Sequence, residues 1–260
     1  MTNTFPFQPS ADSFQCRQPV WGLVVAAALL VTVACGERHE AAPVVSPASG
    51  FSQARDFAGE AGRTFADSVA LAHGLAAWSQ VERFAFDFVV EVADTARVSR
   101  SWVWYPGRDS IVRTVDGEAL GYLRVGTLDS AALAVDEQFV NDSYWVLMPL
   151  YLAWSADGYA ASVTRDTVAP ISGEPATMLT VAYGAAGGYT PGDAYDLFVD
   201  EAYVLREWVF RKGGQAEPSS VMSWDAYREV GPGIRVPTAH GASGRPVRIL
   251  HGEVSATTGS

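Results

Sequence analysis

From Phe84 onward the chain alternates, with Phe84, Phe86, Phe88, Val90 and Val92 on one side and Asp87 and Glu91 on the other. A period of two is the pattern of a half-buried strand. Comparable segments recur at 98–105, 110–115, 118–125, 159–165, 176–183, 194–199 and 203–211, and segments 220–227, 234–238 and 247–254 close the chain. Short turns such as Pro106-Gly107, Asp116-Gly117 and Gly213-Gly214 separate many of them. Strands joined this tightly leave no room for a crossover and must run antiparallel. The expected fold is mainly β, an antiparallel meander of about 10–11 strands curling into a half-barrel, or incomplete barrel. An N-terminal helix and a short inserted helix are expected to lie across its concave face.

The N-terminal helix is expected over 64–78, opened by Thr64 with Asp67 three residues on, a capping-box pattern. Phe65, Val69, Ala72 and Ala76 form a narrow apolar stripe, and Gly74 weakens the helix by about 1 kcal/mol relative to Ala. The inserted helix is expected over 141–152, starting with cap-forming residues and broken near Pro149. Its Trp145, Leu147, Met148, Leu150 and Tyr151 cannot all stay in water. They either plug the concave face as permanent core or form a lid over a cavity.

Ahead of the β region, an apolar run from Val20 to Ala34 ends at Cys35, followed by Gly36 and a stretch rich in Ala, Pro and Ser. About 15 residues suit a signal-peptide core and fall short of the roughly 18–20 of a spanning helix. Thr32-Val33-Ala34-Cys35 reads as a lipobox, with Cys35 as the residue that takes diacylglycerol and fatty acid such as palmitate. The expected organisation is a lipoprotein signal peptide over 1–34, lipidated Cys35 with a flexible tether over 35–62, and one domain over 63–257. The chain would then be anchored to a membrane of the cell envelope and face the periplasm. Glu37 stands where Asp is associated with inner-membrane retention, which favours the outer membrane. Cys16 leaves with the leader and Cys35 is acylated, so no disulfide is expected and stability rests on a core.

Charge excludes one class of partner. With 18 basic against 29 acidic residues the net charge is −11, and no basic footprint for nucleic acid is visible. Catalytic and metal motifs are also missing. His39, His73, His240 and His251 show no zinc-binding spacing, there is no Gly-x-Ser-x-Gly elbow, and no thiol remains once Cys35 is acylated. No cofactor, metal or enzymatic activity is expected. The acidic set Asp193, Asp196, Asp200 and Glu201 lacks the spacing of a calcium loop and reads as turn chemistry and a solvated face. Trp208, Phe210 and Trp224 read as core.

The 64–78 helix, the 84–92 strand, Trp102-Val103-Trp104-Tyr105-Pro106-Gly107-Arg108 and Val115-Asp116-Gly117-Glu118-Ala119-Leu120-Gly121-Tyr122 resemble, in that order, the first third of the periplasmic outer-membrane lipoprotein carrier. The whole domain, with 141–149 and 187–193, is similar to a group of bacterial envelope proteins with this carrier/receptor-like (LolA/LolB-like) fold. The resemblance implies an incomplete antiparallel barrel that shelters acyl chains beneath helices. It departs where the carrier has an arginine before its Pro-containing turn, because Tyr105 stands there; Arg100 or Arg108 is a possible substitute charge. The fold and an acyl-chain cavity are therefore implied, and lipoprotein shuttling is not. The expected function is binding of a lipid or other apolar ligand, without catalysis, on a face lined by Phe86, Phe88, Trp102, Trp104 and Tyr122, with Trp145 and Met148 from the inserted helix. The alternative is a filled barrel whose loops, such as 184–192, dock an envelope protein partner; a hydrolase of lipid or cell-wall material rests only on the loop carboxylates.

Overall fold

The computed structural model describes residues 60–185, 189 and 191–259. The expected signal peptide, the expected lipobox with Cys35, most of the expected tether and part of the 184–192 loop lie outside these residues.

Two short helices come first, α1 (Glu60–Ala72) and α2 (Leu75–Trp78). Thr64 lies inside α1, where its hydroxyl donates to the Glu60 carbonyl at 2.9 Å, so the expected Thr64–Asp67 capping box is not formed. Gly74 separates the two helices in the left-handed conformation, φ 97°. A Cβ there would stand 2.4 Å from the Gly233 carbonyl oxygen, so this glycine is required by close packing as well as by its backbone.

A first sheet follows with β1 (Val81–Val92), β2 (Thr95–Tyr105), β3 (Ser110–Val115) and β4 (Glu118–Leu123). The long helix α3 (Ser130–Trp154) then interrupts the strands. A second sheet is a five-stranded meander of β5 (Tyr159–Val168), β6 (Pro175–Tyr183), β7 (Ala194–Val199), β8 (Leu205–Arg211) and β9 (Ser220–Ser223). β10 (Arg228–Val230) and β11 (Ile234–Val236) form a hairpin. β12 (Ala239–Gly241), β13 (Val247–Leu250) and β14 (Val254–Thr258) return to the first sheet, where β13 and β14 both pair with β1. The described residues thus hold 14 strands, all pairings antiparallel.

The barrel is incomplete, as expected. On one side the sheets meet through the bridges Met222↔Ala242 and Asp225↔Ala239; on the other, β4 and β5 do not pair. Three strands are additional: β10 begins just beyond 220–227, β12 follows the expected 234–238, and 247–254 splits into β13 and the start of β14.

The inserted helix is longer than expected and is not broken. It starts at the Asp129 cap, whose carboxylate accepts from the Ala132 N–H at 2.8 Å, and runs 25 residues through Pro149. Pro149 has no N–H for the Trp145 carbonyl four residues back. That carbonyl lies against the imidazoles of His240 and His251, which come from the C-terminal strands and the residue after them. Nearly every residue from Trp145 to Trp154 is buried, so packing keeps the helix continuous where local propensity alone would stop it. Among the described residues no helix is long and apolar enough to cross a membrane.

Candidate functional site

Strand parity builds the concave face of the first sheet. Phe84 pairs with Trp104, Phe86 with Trp102 and Phe88 with Arg100; β3 and β4 extend the first row through Ile111 and Tyr122. Phe86, Phe88, Trp102 and Trp104 are at most 2% exposed, and Tyr122 is half-buried. What covers them is α3. Phe139 sits with its ring centroid 5.5 Å from Trp102, 5.6 Å from Trp104 and 6.5 Å from Phe86, in tilted and edge-on geometries that suit aromatic rings. The sequence-expected residues of β1 and β2 are therefore together, and the ring that the first half of α3 sets on them is Phe139, which the sequence did not single out; Trp78 and Trp154 also meet Trp104, and His251 meets Phe86 and Phe88.

The two residues expected from the helix go elsewhere. Trp145 packs against the second sheet, 4.5 Å from Trp208 and 5.3 Å from His240, and Met148 is fully buried in the core. Trp208, Phe210 and Trp224 are core, as expected.

Two buried carboxylates flank Phe139 on α3 at intervals of three residues. Asp142 is wholly buried and accepts from Arg100 Nε at 2.7 Å and Nη2 at 2.8 Å, from Trp102 Nε1 at 2.9 Å and from Asn141 Nδ2 at 3.0 Å. Burial raises the Asp142 pKa, while Arg100, Asn141 and Trp102 oppose the rise by hydrogen bonding to the charged form. Asp136 is paired with Arg124 at 2.7 Å and accepts from the hydroxyls of Tyr122 at 2.8 Å and Tyr189 at 2.6 Å. Burial, then the Asp136 carboxylate, pushes both phenols upward, so they remain donors at neutral pH. Arg100 also lies 5.2 Å over the Phe88 ring, at the end of the aromatic stripe. Of the two arginines considered from sequence, Arg100 thus faces the concave side, whereas Arg108 stacks on Tyr105. The readable signal was parity, since Arg100 is in phase with Trp102 and Trp104, and Arg124 with Leu120 and Tyr122.

None of these groups is arranged as a nucleophile with a base. The acidic set behaves as turn chemistry. Asp193 accepts from the Gly213 N–H at 2.7 Å, Asp200 from the N–H groups of Ala202 and Val204 at 2.9 Å, and Asp196 pairs with Thr180 and Arg211. Among the described residues no group of three or more His, Cys, Asp or Glu is placed to hold a metal ion. A groove of about 530 Å³ lies away from the aromatic face, between the 169–176 turn and Asp200, Arg206 and Glu207. Its buried Glu207 is already held by the N–H groups of Ile171 and Ser172, at 2.6 and 2.8 Å.

No protein-family model matches the chain, and no curated protein does. Among solved structures, the chain is similar to a DUF1329 family protein from Desulfovibrio piger, at 11% identity and a TM-score of 0.46, covering 77% of this chain and 94% of that one. It is similar to a LolA superfamily protein from Nitrosomonas europaea, at 9% identity and a TM-score of 0.49, covering 76% and 94%. A domain described as an outer membrane lipoprotein-sorting protein, from Vibrio parahaemolyticus, matches at 11% identity and a TM-score of 0.40, covering 77% and 94%. No residue of this chain inherits a role from likenesses of this degree.

Proposed function

We propose that this chain is a lipid-anchored binding protein of the bacterial cell envelope, without catalytic activity, that takes a lipid or other apolar ligand onto the concave face of its first sheet. Cys35 carries the anchor, the domain faces the periplasm, and the outer membrane is the favoured site. The ligand face comprises Phe86, Phe88, Trp102, Trp104 and Tyr122, without the Trp145 and Met148 expected from the helix. One observation carries this reading: over Trp102 and Phe86 and beside Trp104, the first half of α3 covers the aromatic face with one ring, Phe139, set between two ion-paired carboxylates. Charge pairs can be exchanged for water when the helix lifts, whereas an aromatic face left open must find another apolar cover. An acyl chain supplies one.

A second reading, a filled barrel that docks an envelope protein, is favoured by the other half of the same helix, where Trp145 is wedged against Trp208 and His240. Native mass spectrometry with lipid extraction, on the exported and processed chain, separates the two. Lipid bound in a one-to-one ratio, with exchange of a fluorescent fatty-acid probe accelerated several-fold by Asp142→Ala, is the expected result. A lipid-free protein that takes up no probe, with or without that substitution, removes the binding reading and leaves docking.

A further inference from the structure

β4 ends the first sheet: it pairs with β3, and among the described residues no strand pairs with its other side. The corresponding end of the second sheet is covered, because α1 packs on β5 so closely that a Cβ on Gly62 would stand 2.6 Å from the Ala161 carbonyl oxygen. The direction of the free groups on β4 follows from one hydrogen bond. Arg124 N–H donates to the Asp109 carbonyl at 2.9 Å, so the even-numbered residues of this strand address β3. The N–H and C=O groups of Ala119, Gly121 and Leu123 therefore point to the open edge.

The side chains of the same three residues lie on the outer face, where Leu123 is 52% exposed and Val125, just beyond the strand, 63%. Edge strands of monomers are normally guarded by charge, proline or a bulge. Ala119 to Leu123 has no charge and no proline, in a chain whose net charge is −11. Gly121 also ends a neutral cross-strand row of Ala85, Val103 and Val112.

We propose that β4 docks antiparallel onto β4 of a second copy of this chain, about a two-fold axis at Gly121. In this register Gly121 faces the partner's Gly121, and Ala119 faces the partner's Leu123. Each residue with free edge groups then meets another such residue, and the small side chain of Ala119 sits beside the large one. The charged residues from Gly117 to Val125 are Glu118 and Arg124. The same register sets each opposite the other, so like charges do not meet. A two-fold pairing is self-complementary by symmetry. A lone strand pair buries less than the roughly 1,000 Å² of a firm interface, so the dimer is weak and depends on concentration.

The test uses the full chain with Cys16→Ser and Cys35→Ser, so that neither native thiol nor lipid links two copies. Sedimentation velocity is expected to show a mass that doubles with rising concentration. Gly121→Lys places two ammonium groups at the axis and should weaken association at least tenfold without lowering the thermal midpoint. The monomer accommodates the substitution, since a Cβ at Gly121 stands 3.6 Å from the Val112 side chain, an ordinary contact. Register is read by oxidation. Gly121→Cys should crosslink to itself, and Ala119→Cys to Leu123→Cys in a mixture of the two variants, at Cα separations of about 5.5 Å that a disulfide tolerates. A single monomeric mass at every concentration, crosslinks indifferent to position, or capture of a different protein at Gly121→Cys in cells would each overturn the proposal.

Discussion

The two halves of α3 close the half-barrel by different physics. From Ser130 to Asp142 the helix meets the first sheet through Phe139 and the carboxylates Asp136 and Asp142, each paired with an inward arginine. From Trp145 to Trp154 it meets its surroundings through large rings: Trp145 on Trp208, and Trp154 on Trp78 and Trp104. Aromatic burial is paid back only while the rings stay covered, so the second half is a fixed point. Ion pairs recover much of their energy from water, so the first half has the lower barrier to opening. On the proposed function, one continuous helix serves as core at one end and as a releasable cover at the other.

The largest expected effect comes from the fixed half. Trp145→Ala should cost about 3–5 kcal/mol, as for other buried large-to-small changes, and appear as a large drop in the chemical-denaturation midpoint with no gain in lipid exchange. If instead it loosens the helix without loss of global stability, the division of labour along α3 is wrong.

Acid should act on the same half. His251 is buried with its Nδ1 2.8 Å from the Asp87 carbonyl, and burial lowers its pKa to about 4; burial, then His251, holds His240 well below its ordinary value too. Their folded pKa values lie below the unfolded value near 6.5, so the unfolded chain binds protons first. Stability is therefore fully present above about pH 6.5 and falls as the pH drops towards 4, with roughly 3 kcal/mol attributable to His251. Denaturation midpoints measured from pH 7 to 4.5 check the sign, and His251→Phe should flatten the slope.

Asp142→Ala probes the releasable half. It leaves Trp102 Nε1 without its acceptor and Arg100, whose side chain is partly exposed, to be rehydrated, at about 1–3 kcal/mol. Amide hydrogen exchange should accelerate in the first half of α3 and remain slow from Trp145 to Leu152. Uniform acceleration along the helix would erase the proposed contrast. The smallest effect is expected for Arg206→Ala, which removes an exposed pair with Asp200 and should cost less than about 1 kcal/mol in the same denaturation assay.

Much of the scaffold was legible from alternation. Strands β3 and β7 match their expected bounds, and β1, β2 and β6 extend them only at the start. The aromatic face was legible for the same reason, since Phe86 and Trp102 must share a side once their strands pair. Boundaries failed where information was not local. α3 runs through Pro149 because two sheets and two histidines some 90–100 residues away support it, and nothing within 141–152 reports that. Phe139, Asp136 and Asp142 were missed because a helix stripe acquires meaning only when the surface opposite it is known.

By itself, then, the sequence determined the antiparallel β class, the inward aromatic rows and the absence of recognisable catalytic spacing, because side-chain period and turn length are local properties of the chain. Tertiary structure alone decided that the strands divide into two sheets with an open seam, and that one helix fills the space between them. It also decided that the inward arginines find their carboxylates across 42 residues of chain for Arg100 and 12 for Arg124. Burying a charge is tolerable only beside its partner, and which partner lies near depends on the packing of the whole molecule.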